Sequence, residues 1–144
     1  MRKAGAGNLL MTMKDLEGQT IEYTQYMPGS RHFEDRGKHL GDGRVAKTLL
    51  GATAPARDVS AIRNFYVEKL GFRDGSDGAL RMPGESGQRV EITAGRPSGM
   101  TFGVADVAEG ATALAALGLE VKRSGEALRV RGPDGVEISF AKGK

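Results

Sequence analysis

The chain has 144 residues, 39% hydrophobic and 27% charged, with a formal net charge of +3; that is the size and balance of one globular domain with at most an appendage. It has no cysteine, which excludes disulfides, thiolate metal sites and cysteine nucleophiles and fits a cytoplasmic setting. Its lysines and arginines are scattered, and no apolar run nears the ~18 residues of a membrane helix, so neither nucleic acid nor membrane is an expected partner.

In chain order, Asn8 to Met13 and Gly18 to Tyr23 read as two strands of a hairpin. The stretch 27–44 is turn-rich and charged and reads as a linker; it holds the only histidines, His32 and His39. Lys47 to Ala54 reads as a strand ended by Pro55. Asp58 is a candidate N-cap, and Ile62, Phe65, Tyr66, Lys69 and Leu70 follow helical spacing up to Gly71. Three short strands follow: Phe72-Arg73, Ala79 to Met82, and Gln88 to Thr93. Gly99 to Val104 is then a strand, Asp106 caps a helix through Leu117, and Gly118 ends it. Leu119 to Lys122, Ala127 to Arg131 and Val136 to Ala141 are strands, the last two joined by the turn Pro133-Asp134-Gly135.

This order is one β-α-β-β-β unit used twice, and the residues repeat with it. A shift of 48 positions lays Ala79-Leu80-Arg81-Met82 on Ala127-Leu128-Arg129-Val130, Asp58-Val59 on Asp106-Val107, and the strand starting at Gly87 on that starting at Gly135. Gly18-Gln19-Thr20-Ile21-Glu22-Tyr23 matches Gly87-Gln88-Arg89-Val90-Glu91-Ile92 as a third, partial copy. Residues 1–26 therefore read as the remnant hairpin of a preceding similar domain, 27–44 as a linker, and 45–144 as the main domain. Strand alternation sorts the faces. Leu80, Met82, Val90, Ile92, Met100, Phe102, Val104, Leu128, Val130, Ile138 and Phe140 should pack beneath the helices. Gly51, Thr53, Arg81, Arg89, Glu91, Thr93, Gly99, Thr101, Gly103, Arg129, Glu137 and Ser139 should share the other face. The glycine-rich pieces match no phosphate-loop or dinucleotide pattern.

Phe65-Tyr66-Val67-Glu68-Lys69-Leu70-Gly71-Phe72, with Gly132-Pro133-Asp134-Gly135 and Ile138-Ser139-Phe140, resembles the signatures of the vicinal oxygen chelate superfamily, also called the glyoxalase/bleomycin-resistance/dioxygenase family. Asp106-Val107 matches its second-helix entry, and the resemblance spans 45–141. It implies an α+β fold in which paired βαβββ units form a curved mixed sheet around a concave groove. Enzymatic members hold a divalent metal there, and the resemblance puts the four ligand positions at Gly51, Glu91, Gly99 and Ser139. Only Glu91 is a strong ligand, and one carboxylate does not hold a catalytic ion against water.

Three readings follow. The leading one is a metal-free small-molecule-binding protein that takes a polar, anionic ligand over Arg81, Arg89, Glu91, Arg129 and Ser139, because guanidinium groups bind carboxylate or phosphate bidentately. The competing view of these residues is a solvated face on which Arg81, Arg89 and Arg129 are balanced by Glu91 and Glu137. The second reading is a metal-dependent lyase, isomerase or dioxygenase. Its Ni, Zn, Mn or Fe would be held by Glu91 with Glu22, His32 or His39 from the same or a second chain. The third is a structural fragment that dimerises without chemistry. A homodimer is expected on the first reading as well.

Overall fold

The computed structural model describes residues 1–84, 87–95 and 98–143. Two compact units divide the chain, Met1–Arg44 and Val45–Lys144. The first is an antiparallel sheet of β1 (Arg2–Lys3), β2 (Leu9–Lys14) and β3 (Thr20–Gln25) in that spatial order. Asp15 makes the β2–β3 turn: its carboxylate accepts from the Glu17 and Gln19 N–H groups at 2.9 and 2.8 Å, and Gly18 supplies φ 81°. Where the sequence reads as linker, one helical turn forms, α1 (Arg31–Glu34), capped by the Ser30 hydroxyl.

The second unit is one eight-stranded mixed sheet carrying two helices. Its elements are β4 (Thr48–Pro55), α2 (Val59–Leu70), β5 (Arg73–Asp74), β6 (Leu80–Arg81), β7 (Arg89–Thr93), β8 (Gly99–Val104), α3 (Val107–Ala116), β9 (Lys122–Ser124), β10 (Ala127–Arg131) and β11 (Glu137–Lys142). The spatial order is β5-β6-β7-β4-β8-β11-β10-β9. β4 and β8 pair antiparallel at the centre, and each takes its own unit's last strand as a parallel neighbour, β7 on β4 and β11 on β8. Right-handed crossover through a helix is how such parallel neighbours arise.

Each helix is fixed at its ends by the residues the sequence marks. Asp58 accepts from the Ala61 N–H at 2.9 Å, and Gly71 closes α2 with φ 73°. Asp106 accepts from the Ala108 and Glu109 N–H groups at 2.8 and 2.9 Å. α2 buries its own Ile62 and Tyr66, and Phe72, Leu80 and Ile92 are buried too, with the Tyr66 and Phe72 rings edge to face at 5.1 Å. Under α3 lie Val104, Leu114, Leu128, Val130 and Phe140.

Several element limits differ from the sequence reading. Pro55 is the last residue of β4, where it pairs with Thr93, rather than the residue that ends the strand. β9 begins at Lys122 instead of Leu119, because the Leu119 N–H is spent on the Leu114 carbonyl as the chain leaves α3. Met100, expected beneath the helices, is 43% exposed, as is Leu49. The helices pack over β7 and over β10 and β11, so the central β4–β8 seam lies between them and is only partly covered.

The 48-residue correspondence also needs a correction in the hairpins. Val90 and Ile138 are 48 apart, but their partners Leu80 and Val130 are 50 apart. The β6–β7 connection, 82–88, is two residues longer than the β10–β11 connection, 132–136. By position in the sheet Arg81 therefore corresponds to Arg131, not to Arg129.

Two outcomes test this packing. Leu128, 1% exposed, leaves a cavity when cut back, so Leu128→Ala should cost about 2–5 kcal/mol in a denaturant titration. The carboxyl of Asp106 lies below its ordinary range, held there by the Glu109 and Ala108 N–H bonds against a smaller desolvation, with the Lys142 and Arg123 charges adding to them. A folded-state value below the unfolded one stabilises above the unfolded value and is lost as pH falls through the folded one. Asp106→Ala should thus lower Tm at pH 7, and the gap from the wild type should narrow below about pH 4.

Candidate functional site

The register of the sheet places the candidate residues. On the face away from the helices, one cross-strand row runs Arg81, Arg89, Gly51, Thr101, Ser139, Arg129, Lys122, each residue directly opposite the next. The next row runs Glu91, Thr53, Gly99, Glu137, Arg131. Opposed residues of a sheet have Cβ atoms about 4.5–5.5 Å apart on average. Arg81, Arg89, Arg129 and Ser139 are therefore in one line, and Glu91 is one row away. All five are half-buried.

Carboxylates answer most of these cations. Arg81 Nη2 lies 2.8 Å from Asp77 Oδ2. The Asp77 carboxyl is held below its ordinary range: a desolvation that alone would raise it is outweighed by the Arg81 and Ala79 hydrogen bonds together with the Arg81 charge. Arg89 Nε is 3.6 Å from Glu91 Oε1, and Arg129 Nη1 is 3.7 Å from Glu137 Oε1. Both distances are ion pairs too long for hydrogen bonds. The competing view of a balanced face thus describes Glu91 and Glu137 in part, and the guanidinium forks of Arg89 and Arg129 keep their donors for another acceptor.

Two grooves take in parts of the row. One groove of about 670 Å³ is lined by Glu120, Lys122, Ser124, Arg129, Val130, Arg131 and Glu137. A second, of about 540 Å³, is lined by Thr48, Leu49, Leu50, Arg81, Gly87, Arg89 and Lys142. Arg81 and Arg89 are brought together in the second, Arg129 falls in the first, and Glu91 and Ser139 line neither of these two. Sequence reasoning missed Thr48, Leu50 and Lys142. Leu50 is the bulged residue at which the β4–β8 register shifts between Leu49 and Gly51; no pattern in the sequence marks it. Lys142 extends β11 one residue past the expected end.

The four positions where the resemblance puts metal ligands are Gly51, Glu91, Gly99 and Ser139, and they do not fit a divalent ion. One carboxylate and one hydroxyl are too few donors. The glycines are also closed to side chains. A Cβ on Gly51 would overlap the Arg89 carbonyl and lie 2.8 Å from Arg89 Cγ, and a Cβ on Gly99 would lie 2.6 Å from the Glu137 carbonyl oxygen. Among the described residues, no three His, Cys, Asp or Glu side chains group around a common point. The alternative ligands lie in the first unit. Glu22 accepts from the Thr24 hydroxyl at 3.0 Å, His32 Nδ1 accepts from the Asn8 amide at 2.8 Å, and His39 faces Asp35 at 3.7 Å.

A mixed sheet in which two βαβββ units meet through antiparallel first strands defines the class, an α+β fold of glyoxalase type. Solved structures agree. The chain is similar to methylmalonyl-CoA epimerase from Mycobacterium tuberculosis, with TM-score 0.58 and 15% identity over 76% of this chain and 96% of that one. It is similar to homoprotocatechuate 2,3-dioxygenase from Brevibacterium fuscum, with TM-score 0.54 and 22% identity over 67% of this chain, which spans 32% of the dioxygenase. A glyoxalase/bleomycin resistance protein/dioxygenase superfamily member from Vibrio splendidus gives TM-score 0.50 at 18% identity, over 67% of this chain and all of that one. No protein-family profile matches, and no curated sequence does. The chain has the fold of the vicinal oxygen chelate superfamily. Among the described residues, no helix is long and apolar enough to cross a membrane.

Because the Arg89 backbone fills the space beside Gly51, Gly51→Ala should cost about 1–3 kcal/mol in a denaturant titration, as overpacking does; an unchanged midpoint would mean that the strands separate freely there.

Proposed function

We propose that the second unit is a small-molecule-binding module that takes a polar, anionic ligand on the open face of its sheet without the metal centre of the superfamily's enzymes. The observation that carries this is the row Arg81, Arg89, Gly51, Thr101, Ser139, Arg129. It has cations at both ends and small or hydroxyl-bearing residues in the middle, which leaves room for a ligand between two charged anchors. Arg81 stands directly opposite Arg89, and like charges so placed repel; an anion laid across them relieves that. A donor set of one carboxylate and one hydroxyl supports binding rather than metal-assisted turnover.

Two measurements test the reading. After dialysis with Ni²⁺, Zn²⁺, Mn²⁺ or Fe²⁺, elemental analysis should find far less than one equivalent retained, and near-stoichiometric metal would overturn the metal-free reading. In a thermal-shift screen of small anionic compounds, those that raise Tm should do so no longer in Ser139→Trp, whose indole fills the middle of the row. Shifts that survive that substitution place the ligand elsewhere and refute the site.

A further inference from the structure

The two grooves differ in where their carboxylates stand. The groove around Arg129 contains Lys122, Arg129 and Arg131 together with Glu120 and Glu137, and it closes on itself through Lys122–Glu120 at 3.2 Å and Arg129–Glu137 at 3.7 Å. Among the described residues, the groove around Arg89 is lined by three cations, Arg81, Arg89 and Lys142, and by no carboxylate. Arg81 donates to the Asp77 carboxylate through Nη2. The Arg89 guanidinium donates no hydrogen bond among the described residues, its nearest carboxylate there being 3.6 Å from Nε. Lys142 makes no ion pair among them. The arginine side chains are 33% and 31% exposed, buried enough that water does not fully screen them and open enough for a ligand to reach.

The rest of the groove is of a different character. Leu49 and Leu50 give it an apolar side, and the Thr48 hydroxyl adds a donor. The Gln88 side chain holds its β7 wall to β4 by donating to the Leu49 carbonyl at 3.3 Å. Charged donors beside leucines match a molecule with a compact oxyanion on an apolar body.

We propose that Arg89, Arg81 and Lys142 form an oxyanion subsite, phosphate or carboxylate, with Leu49 and Leu50 seating the apolar part of the ligand. The proposal rests on the small-molecule-binding reading and names the part of the ligand that anchors it. The Arg89 fork takes two oxygens side by side, and Lys142 adds a point charge from the end of β11.

Calorimetric titration of the full chain with inorganic phosphate and with malonate, at fixed ionic strength, tests it. One of the two should bind saturably at one site, and which binds more tightly identifies the oxyanion as phosphate or carboxylate. Arg89→Gln and Lys142→Gln should each weaken that probe about tenfold, the size of a lost charge-assisted hydrogen bond. Arg89→Lys, which keeps the charge but not the fork, should recover only part. Arg131→Gln removes the same charge from the other groove and should leave binding within twofold. No saturable binding of either probe, or equal weakening by Arg131→Gln, overturns the subsite. If that happens while the thermal shifts still depend on Ser139, ligand binding on the open face stands and only this subsite falls; the loss of both sinks both.

Discussion

The antiparallel pairing of β4 with β8 is the contact on which everything else in the second unit depends. It sets Gly51 opposite Thr101 and Thr53 opposite Gly99, and each strand then receives its parallel partner at a fixed register. Side chains alternate along every strand, so this one register decides which residues of eight strands share a face. A slip of one residue would send Arg89 and Ser139 under the helices and Phe102 and Phe140 into water. The apolar surface under α2 and α3 forbids that slip. The core thereby aligns the polar row on the opposite face.

Much of this was legible in the sequence, for identifiable reasons. The caps Asp58 and Asp106 and the stop Gly71 act through local hydrogen bonds and local φ, which neighbouring residues settle. The face assignment of Arg81, Arg89, Glu91, Arg129 and Ser139 followed from alternation. Other features depend on pairing between distant strands, which a single strand's pattern does not encode. The bulge at Leu50 brings its side chain near Gly103, and the pairing alone reveals it. Lys142 enters a groove with Arg89 because β11 runs one residue further than its apolar pattern. Met100 fits the buried alternation and is exposed because the helices cover the central seam only in part.

The glycines at 51 and 99 show how sequence and packing constrain one another. In each parallel pair, the neighbouring strand's carbonyl occupies the place of a side chain. A single change to a liganding residue would therefore have to move backbone before it could offer a donor, and the second ligand would still be missing. Both positions serve to bring parallel strands close.

The two hairpins differ by two residues, and that small inequality breaks the symmetry of the pair. Arg89 and Glu137 hold equivalent places on β7 and β11, yet one meets an arginine across the hairpin and the other meets Arg131, its opposite in charge. One hairpin sets like charges opposite each other, and the other sets opposite charges. Two like units offer two versions of one surface, and a connection of unequal length makes those versions differ. A substitution that tunes one groove leaves its twin untouched, so the paired frame can evolve as two independent addresses on one backbone.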